Sequence, residues 1–255
     1  MNQSEPLAES QLRRFRRWNL VMGLLHALQG VAVLALSNGF TLPVTGSFLA
    51  GPPGTVNADP VVLFDVSVGS GVALFLFLSA LFHWLLVIPP FFGRYATGLG
   101  AGRNYFRWVE YSFSSSVMIV LIAMITGITD VAALVAIFGV NASMIFFGAV
   151  QEKYERPGGS LLPFWLGSIA GIVPWIAVGI YLASPGSAAE PPGFVYGIFF
   201  SLFAFFNVFA INMWLQYKRV GKWASYLRGE TTYIVLSLVA KSLLAWQVFG
   251  GTLAT

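Results

Sequence analysis

The 255-residue sequence contains no cysteine, which excludes disulfides and thiolate-bound metals. Charge is almost as scarce. Asp, Glu, Lys and Arg make up 9% of the chain, whereas an ordinary soluble domain carries about 25%. That is too little to cover a globule of this size and excludes a water-soluble protein. Disorder is excluded as well, because disordered chains are polar and charged, and this one is 57% hydrophobic with 23 phenylalanines. The net charge of +4 points to nucleic acid only if the basic residues form a patch, so their positions matter.

A helix crossing a bilayer needs about 20 mostly apolar residues. Seven stretches qualify: Trp18–Leu36, Val61–Ile88, Arg103–Thr126, Val131–Val150, Leu161–Ala183, Phe194–Gln216 and Thr231–Gly250. Turn formers separate them at Gly51–Gly54, Pro89–Pro90, Pro157–Gly159, Ser184–Gly186 and Pro191–Gly193. No cleavable signal peptide precedes the first span; residues 1–17 read as a basic tail ending in RRFRR (Arg13–Arg17), and residues 251–255 as a short C-terminal end. The expected fold is an all-α membrane protein, a seven-helix bundle occupying residues 18–250.

Lys and Arg accumulate on the cytoplasmic side of membrane proteins. Arg13, Arg14, Arg16 and Arg17 lie before the first span, and Arg94, Arg103 and Arg107 around the second connection. Lys153 and Arg156 lie in the fourth connection, with Lys218, Arg219, Lys222 and Arg228 in the sixth. The other side has none, though it carries Asp59, Asp130 and Glu190. This pattern puts the N-terminus in the cytoplasm and the C-terminus outside, and it accounts for the basic charge without nucleic acid. In the long outer connection, GFTLPVTGSFLAG (Gly39–Gly51) reads either as a short hairpin, through its Phe40/Leu42/Val44 alternation, or as an irregular loop. Gly167-x-x-x-Gly171 lets another helix approach closely, from the same bundle or from a second subunit. The sequons at Asn141 and Asn2 fall in a span and in the cytoplasmic tail, so neither is a glycosylation site.

The fourteenth basic residue, Lys241, lies ten residues into the last span, about 15 Å from its inner boundary. A lysine at the bilayer centre costs about 2.5–3.5 kcal/mol on the gentlest scale and marks function by default. It must be neutralised, paired or chemically modified. Glu110 is the only carboxylate well inside the third span and is the candidate partner. His26 and His83 lie, like Glu110, about 8–12 Å from the cytoplasmic ends of their helices. Ser237 shares the face of Lys241, four residues before it, and Ser79 stands in the same relation to His83. These residues describe a polar cluster beneath one central lysine. The histidines read equally as interhelical hydrogen-bond donors, the serines as bonding their own helix backbone, and Arg107 as an interfacial anchor. His26, His83 and Glu110 are compatible with zinc in principle, yet nothing in the spacing demands a metal.

Seven helices with a midplane lysine in the last resemble the retinal-binding rhodopsins. The run RWVEYSFSSSVMIVLI (Arg107–Ile122), the stretch GETTYIVLSLVAKSLLAWQVF (Gly229–Phe249) and the inverted orientation resemble heliorhodopsins in particular, along essentially the whole chain. The resemblance implies all-trans retinal bound covalently to Lys241 as a Schiff base, with Glu110 as counterion and Ser237 and Ser79 beside it. It places His26, His83 and Arg107 in an adjoining polar cavity. Candidates for the retinal pocket are Tyr111, Ser114, Met118, Phe138, Asn141, Trp165, Trp175, Phe203, Phe206 and Trp246. It also implies a homodimer in the cell membrane and a possible cytoplasmic signalling partner, and no enzyme.

Related proton pumps carry an aspartate four residues before the lysine and a second carboxylate eleven residues after the counterion. Ser237 and Leu121 stand at those places here. The expected function is therefore a light-sensing photoreceptor with a slow photocycle and no net ion pumping. A light-driven proton or ion transporter or channel is the alternative, and a retinal-free secondary transporter a third, lacking the internal repeat and broken helices such proteins show.

Overall fold

In a computed structural model the described residues are 7–56, 58–183 and 190–254. Seven helices are long and apolar enough to span a membrane. They are α1 (Glu9–Leu36), α2 (Val68–Leu85), α4 (Tyr105–Ile125), α5 (Val131–Tyr154), α6 (Leu162–Ala183), α7 (Gly193–Tyr217) and α8 (Tyr226–Val248). A short helix, α3 (Phe91–Gly100), lies between α2 and α4, where the sequence suggests only a connection. The chain is a multi-pass membrane protein. Consecutive spans pack side by side except α6 and α7, which meet only sparsely, and α8 returns to touch α1 and, as sparsely, α2.

Side-chain caps fix three helix starts. Asn104 accepts from Arg107 N at 3.2 Å, Ser67 from Ser70 N at 3.3 Å, and Asp130 Oδ1 from Ala132 N and Ala133 N at 3.0 and 3.1 Å. The first span begins earlier than its hydropathy suggests. Residues Glu9–Arg17 are already helical, because Phe15 is buried against Tyr95 of α3 and ties that turn to the bundle. The expected turn at Ser184–Gly186 lies outside the described residues.

Two expectations near the outer connection are corrected. The apolar run at Val61 does not begin a span. Val61–Ser67 is a strand, β2, and only Val68–Leu85 is helical. Nor is the hairpin contained within Gly39–Gly51: β1 (Thr41–Gly46) pairs antiparallel with β2, from Thr41↔Ser67 to Gly46↔Val61. Hydropathy counts apolar residues whatever their period, so it cannot separate a β-branched strand from the helix that continues it. The ribbon stands on the α4–α5 turn, where Thr45 N donates to Thr129 O at 2.8 Å. A π-turn at Phe249–Leu253 follows α8 beside it, with Asn38 N donating to Leu253 O at 3.0 Å.

The largest hydrophobic cluster lies in the half of the bundle nearest this ribbon and includes Val33, Phe75, Leu76, Ile122, Leu244 and Val248. The buried charged side chains lie toward the opposite half, whose helix ends carry the Lys and Arg clusters, hereafter the basic end. Gly167 and Gly171 are used within the bundle. A side chain at Gly167 would stand 3.0 Å from Phe147 Cβ, and Gly171 faces Met144, both on α5.

Candidate functional site

Lys241 is buried with all three ammonium hydrogens engaged. Nζ donates to Glu110 Oε1 at 2.7 Å, to Ser79 Oγ at 2.5 Å and to Ser237 Oγ at 3.0 Å. Ser79 passes its own hydrogen to Glu110 Oε1 at 2.7 Å, so the carboxylate is held by two donors from α2 and α8. The i−4 spacing of Ser237 places it under the amine, as the helical period requires. One positive and one negative charge are thus exchanged for water in a single contact, the arrangement that makes a buried pair tolerable.

An apolar cavity of about 130 Å³ opens beside Lys241. It runs between α4, α5, α7 and α8 to Pro163, Phe164 and Gly167 on α6. The sparse contact of α6 with α7 leaves this space. Of the side chains expected around a pocket, Tyr111, Ser114, Met118 and Phe206 line it. Phe138, Asn141, Trp165, Trp175, Phe203 and Trp246 do not. Trp165 is exposed on α6, and Trp246 turns outward to donate to Gln29 Oε1 at 3.1 Å. Asn141 is held by Ser115 and Ser116 at 2.8 and 3.0 Å. Trp175 and Phe203 form an aromatic cluster behind Phe206, with Trp175 and Phe206 centroids 5.4 Å apart. Phe138 is half-buried on α5. The missed lining residues include Trp108, Met144, Phe164, Phe209 and Tyr233. Only Tyr233 carried a signal, since it lies two helical turns before Lys241 on the same face.

A second, polar cavity of about 30 Å³ lies on the basic-end side of Lys241, lined by Ser79, His83, Arg107, Glu110, Glu230 and Ser237 among others. His26 and His83 stack with centroids 5.7 Å apart. Asn19 orders His83, a role that sequence reasoning missed. Its amide nitrogen donates to Phe15 O at 2.9 Å, leaving Oδ1 to accept from His83 Nδ1 at 2.7 Å. Neither ring nitrogen of His26 has a hydrogen-bond partner among the described residues. No three His, Asp or Glu side chains converge as a metal site among them either.

Arg107 is not an interfacial anchor. It is buried between Glu152 of α5 and Glu230 of α8, ion-paired to both. Its guanidinium lies 4.1 Å from the Tyr233 ring centroid and 4.6 Å from that of Trp108. Glu152 also accepts from Asn104 N at 2.9 Å, Trp108 Nε1 at 2.7 Å and Tyr226 OH at 3.0 Å. Glu230 Oε1 accepts from Asn104 Nδ2 at 2.8 Å and Tyr95 OH at 3.3 Å. Burial and the adjacent Glu230 carboxylate hold the Tyr95 phenol well above its usual range, so it stays a donor. Both glutamates escaped the sequence reading because each sits within a turn of its helix end.

The cavity suits a long, apolar ligand with a carbonyl end. Its walls are aromatic and aliphatic, its polar atoms gather at Lys241, and that residue is the only buried primary amine among the described residues. The family model named Heliorhodopsin matches residues 15–253. No curated protein matches the chain. With seven apolar spans and a match over nearly its whole length, the chain belongs to the heliorhodopsin family, rhodopsin-type membrane proteins that carry retinal.

Proposed function

We propose that this protein is a light-sensing receptor that holds all-trans retinal on Lys241 and signals by a change of conformation, without net ion transport and without enzymatic chemistry. The observation that carries this reading is the position of Lys241, where an amine bonded to a buried carboxylate faces an apolar cavity. Retinal bound there as an imine supplies visible absorption and a light-driven change of shape.

The chain's own residues do the rest. Glu110 supplies the negative charge that keeps a proton on the Lys241 nitrogen, because a buried opposite charge favours the charged form. Ser79 and Ser237 fix the direction of that nitrogen and of Glu110 by hydrogen bonds. His83 and Arg107 line the polar space on the same side, and His26, which does not line it, stacks on His83. Toward the ribbon, the packing around Phe75, Leu76, Ile122 and Leu244 is apolar, so these side chains offer a proton no relay in that direction. The Lys and Arg distribution supports a cytoplasmic N-terminus and an extracellular C-terminus. On this reading the basic end is the signalling surface, open to a cytoplasmic partner, and the receptor works as a homodimer.

Adding all-trans retinal to the purified protein tests the reading. A visible band should form, and it should be absent from Lys241→Ala and Lys241→Arg. A visible band retained in either variant overturns the attachment. A pH electrode on illuminated vesicles tests the receptor against the pump. A sustained change that a protonophore abolishes would make the protein a transporter.

A further inference from the structure

Charges buried within the spans do not balance. Lys241 is matched by Glu110, but Arg107 faces two carboxylates, Glu152 and Glu230. All four oxygens of those carboxylates accept hydrogen bonds, from Arg107, Asn104, Trp108, Tyr226 and Tyr95. The cluster therefore has one carboxyl group more than its single guanidinium can balance, in a medium where an uncompensated charge is costly. One proton balances it.

The polar cavity joins this cluster to the Lys241 site. Glu110 and Glu230 both line it, as does His83 of α2. Its 30 Å³ exceeds the roughly 10–15 Å³ that one water requires, and its walls are polar enough to hold one. Resting on the photoreceptor reading above, we infer that Glu230 is the acceptor of the proton released at Lys241 on illumination. In that step an N–H bond at Lys241 breaks and its electron pair stays on nitrogen. The proton crosses Glu110 and the cavity, and an O–H bond forms on Glu230.

Glu230 is favoured over Glu152 on two counts. It lines the shared cavity, and it has the looser shell. Tyr95 OH, at 3.3 Å the longest of its contacts, is a hydroxyl that can turn and accept from the protonated acid. Glu152 is held by four donors, two of them N–H groups on Oε2 that cannot reverse. Glu230 is favoured over the histidines because a proton there makes a neutral acid beside Arg107, the excess negative charge passing to Glu110, which keeps its Ser79 hydrogen bond. On His26 or His83 it would create a positive charge, in rings with no carboxylate bonded to them. The charged and titratable groups facing Glu230 are Arg107 from α4, Glu152 from α5, Tyr95 from α3 and Tyr226 from α8, with Glu110, His83, Tyr111 and Tyr233 around the cavity.

Infrared spectroscopy in the carboxylic-acid C=O region tests the inference in two arms. In the retinal-free protein, acidification should raise a C=O band that Glu230→Gln abolishes, and Tyr95→Phe should shift it. With retinal bound, light-minus-dark spectra should show the same band rising, absent in Glu230→Gln and retained in Glu152→Gln and His83→Gln. A band unaffected by Glu230→Gln overturns the inference. Should that variant fail to fold, a band unmoved by Tyr95→Phe overturns it equally. Failure of the photoreceptor reading looks different, since no visible chromophore then forms and the retinal-free arm still reports on Glu230.

Discussion

The two buried charge sites differ in arithmetic and in what surrounds them. At Lys241 one cation meets one anion, and two serines from separate helices share the contact. At Arg107 one cation meets two anions inside a shell of amide, indole and phenol donors that ties α3, α4, α5 and α8 together. The first is a pair that chemistry at the amine can open, since one covalent change alters every contact of Nζ. The second is a lock. Its guanidinium lies between two aromatic rings and two carboxylates, so it cannot leave without stranding both carboxylates.

Breaking the lock should have the largest effect. Arg107→Met leaves two adjacent buried carboxylates with no cation, and removing one partner of a single buried pair already costs about 3–5 kcal/mol. The variant should unfold at markedly lower temperature or denaturant than the parent, or fail to accumulate. Glu230→Gln, which leaves Arg107 and Glu152 as a matched pair, should be tolerated. An Arg107→Met protein with an unchanged unfolding midpoint would show that the cluster is not a lock.

Breaking the pair at Lys241 should cost less and should be reversible by a second change. Lys241→Met strands one carboxylate, Glu110, which keeps the Ser79 hydrogen bond. The loss should approach the same 3–5 kcal/mol in the retinal-free protein. Adding Glu110→Gln should return most of it, because a neutral pair replaces a broken ionic one. A double variant no more stable than Lys241→Met would mean that the two side chains are not energetically coupled.

This contrast also governs what the sequence revealed. Lys241 stands in an apolar run near the middle of its span and Glu110 is the one carboxylate well inside the third, so counting residues along two helices is enough to pair them. Arg107, Glu152 and Glu230 sit where spans meet connections, and charge there is ordinary. Only the convergence of three helix ends, with Asn104 bridging both carboxylates, makes them a buried site. The seven helices were legible because hydropathy has no competing reading over 20 residues. Strand β2 was not, since its apolar residues continue directly into α2 and its partner lies beyond a long loop. The cavity was half legible. Residues on the Lys241 and Glu110 faces could be counted, but Met144, Phe164 and Phe209 come from helices whose rotation the sequence leaves open.

A smaller effect separates the charge of Glu110 from its stabilising role. In the retinal-bound protein, Glu110→Gln removes the anion beside the nitrogen while keeping a hydrogen-bonding side chain of the same size. Absorption should move to the red while the nitrogen stays protonated, or far to the blue once it does not, and acidification of the parent should reproduce the red shift. Glu152→Gln, equally isosteric but at the lock, should leave the colour nearly unchanged. Equal spectral shifts in the two variants would mean that the chromophore senses total buried charge rather than its nearest anion.

The smallest expected effect comes from a charge that belongs to neither site. Asp130 caps α5 at the ribbon end, accepting from two of its first backbone N–H groups, and lies next to Thr129, which holds β1. Asp130→Ala should lower stability by about 1 kcal/mol, the usual loss for a helix cap. It should leave the visible spectrum where it was. Asp130→Asn should be nearly neutral, because an asparagine oxygen accepts the same two hydrogen bonds and caps as well as aspartate. The comparison matters because it calibrates the other two sites. Here the charge is solvated, so geometry decides and the conservative variant rescues. At Lys241 and Arg107 the charge is buried, so removing it decides the outcome even where shape is kept. Unfolding midpoints for the two Asp130 variants measure this directly. If Asp130→Asn proved as damaging as Asp130→Ala, charge rather than capping would govern the ribbon end too, and the division of the molecule into an apolar end and a charged end would fail.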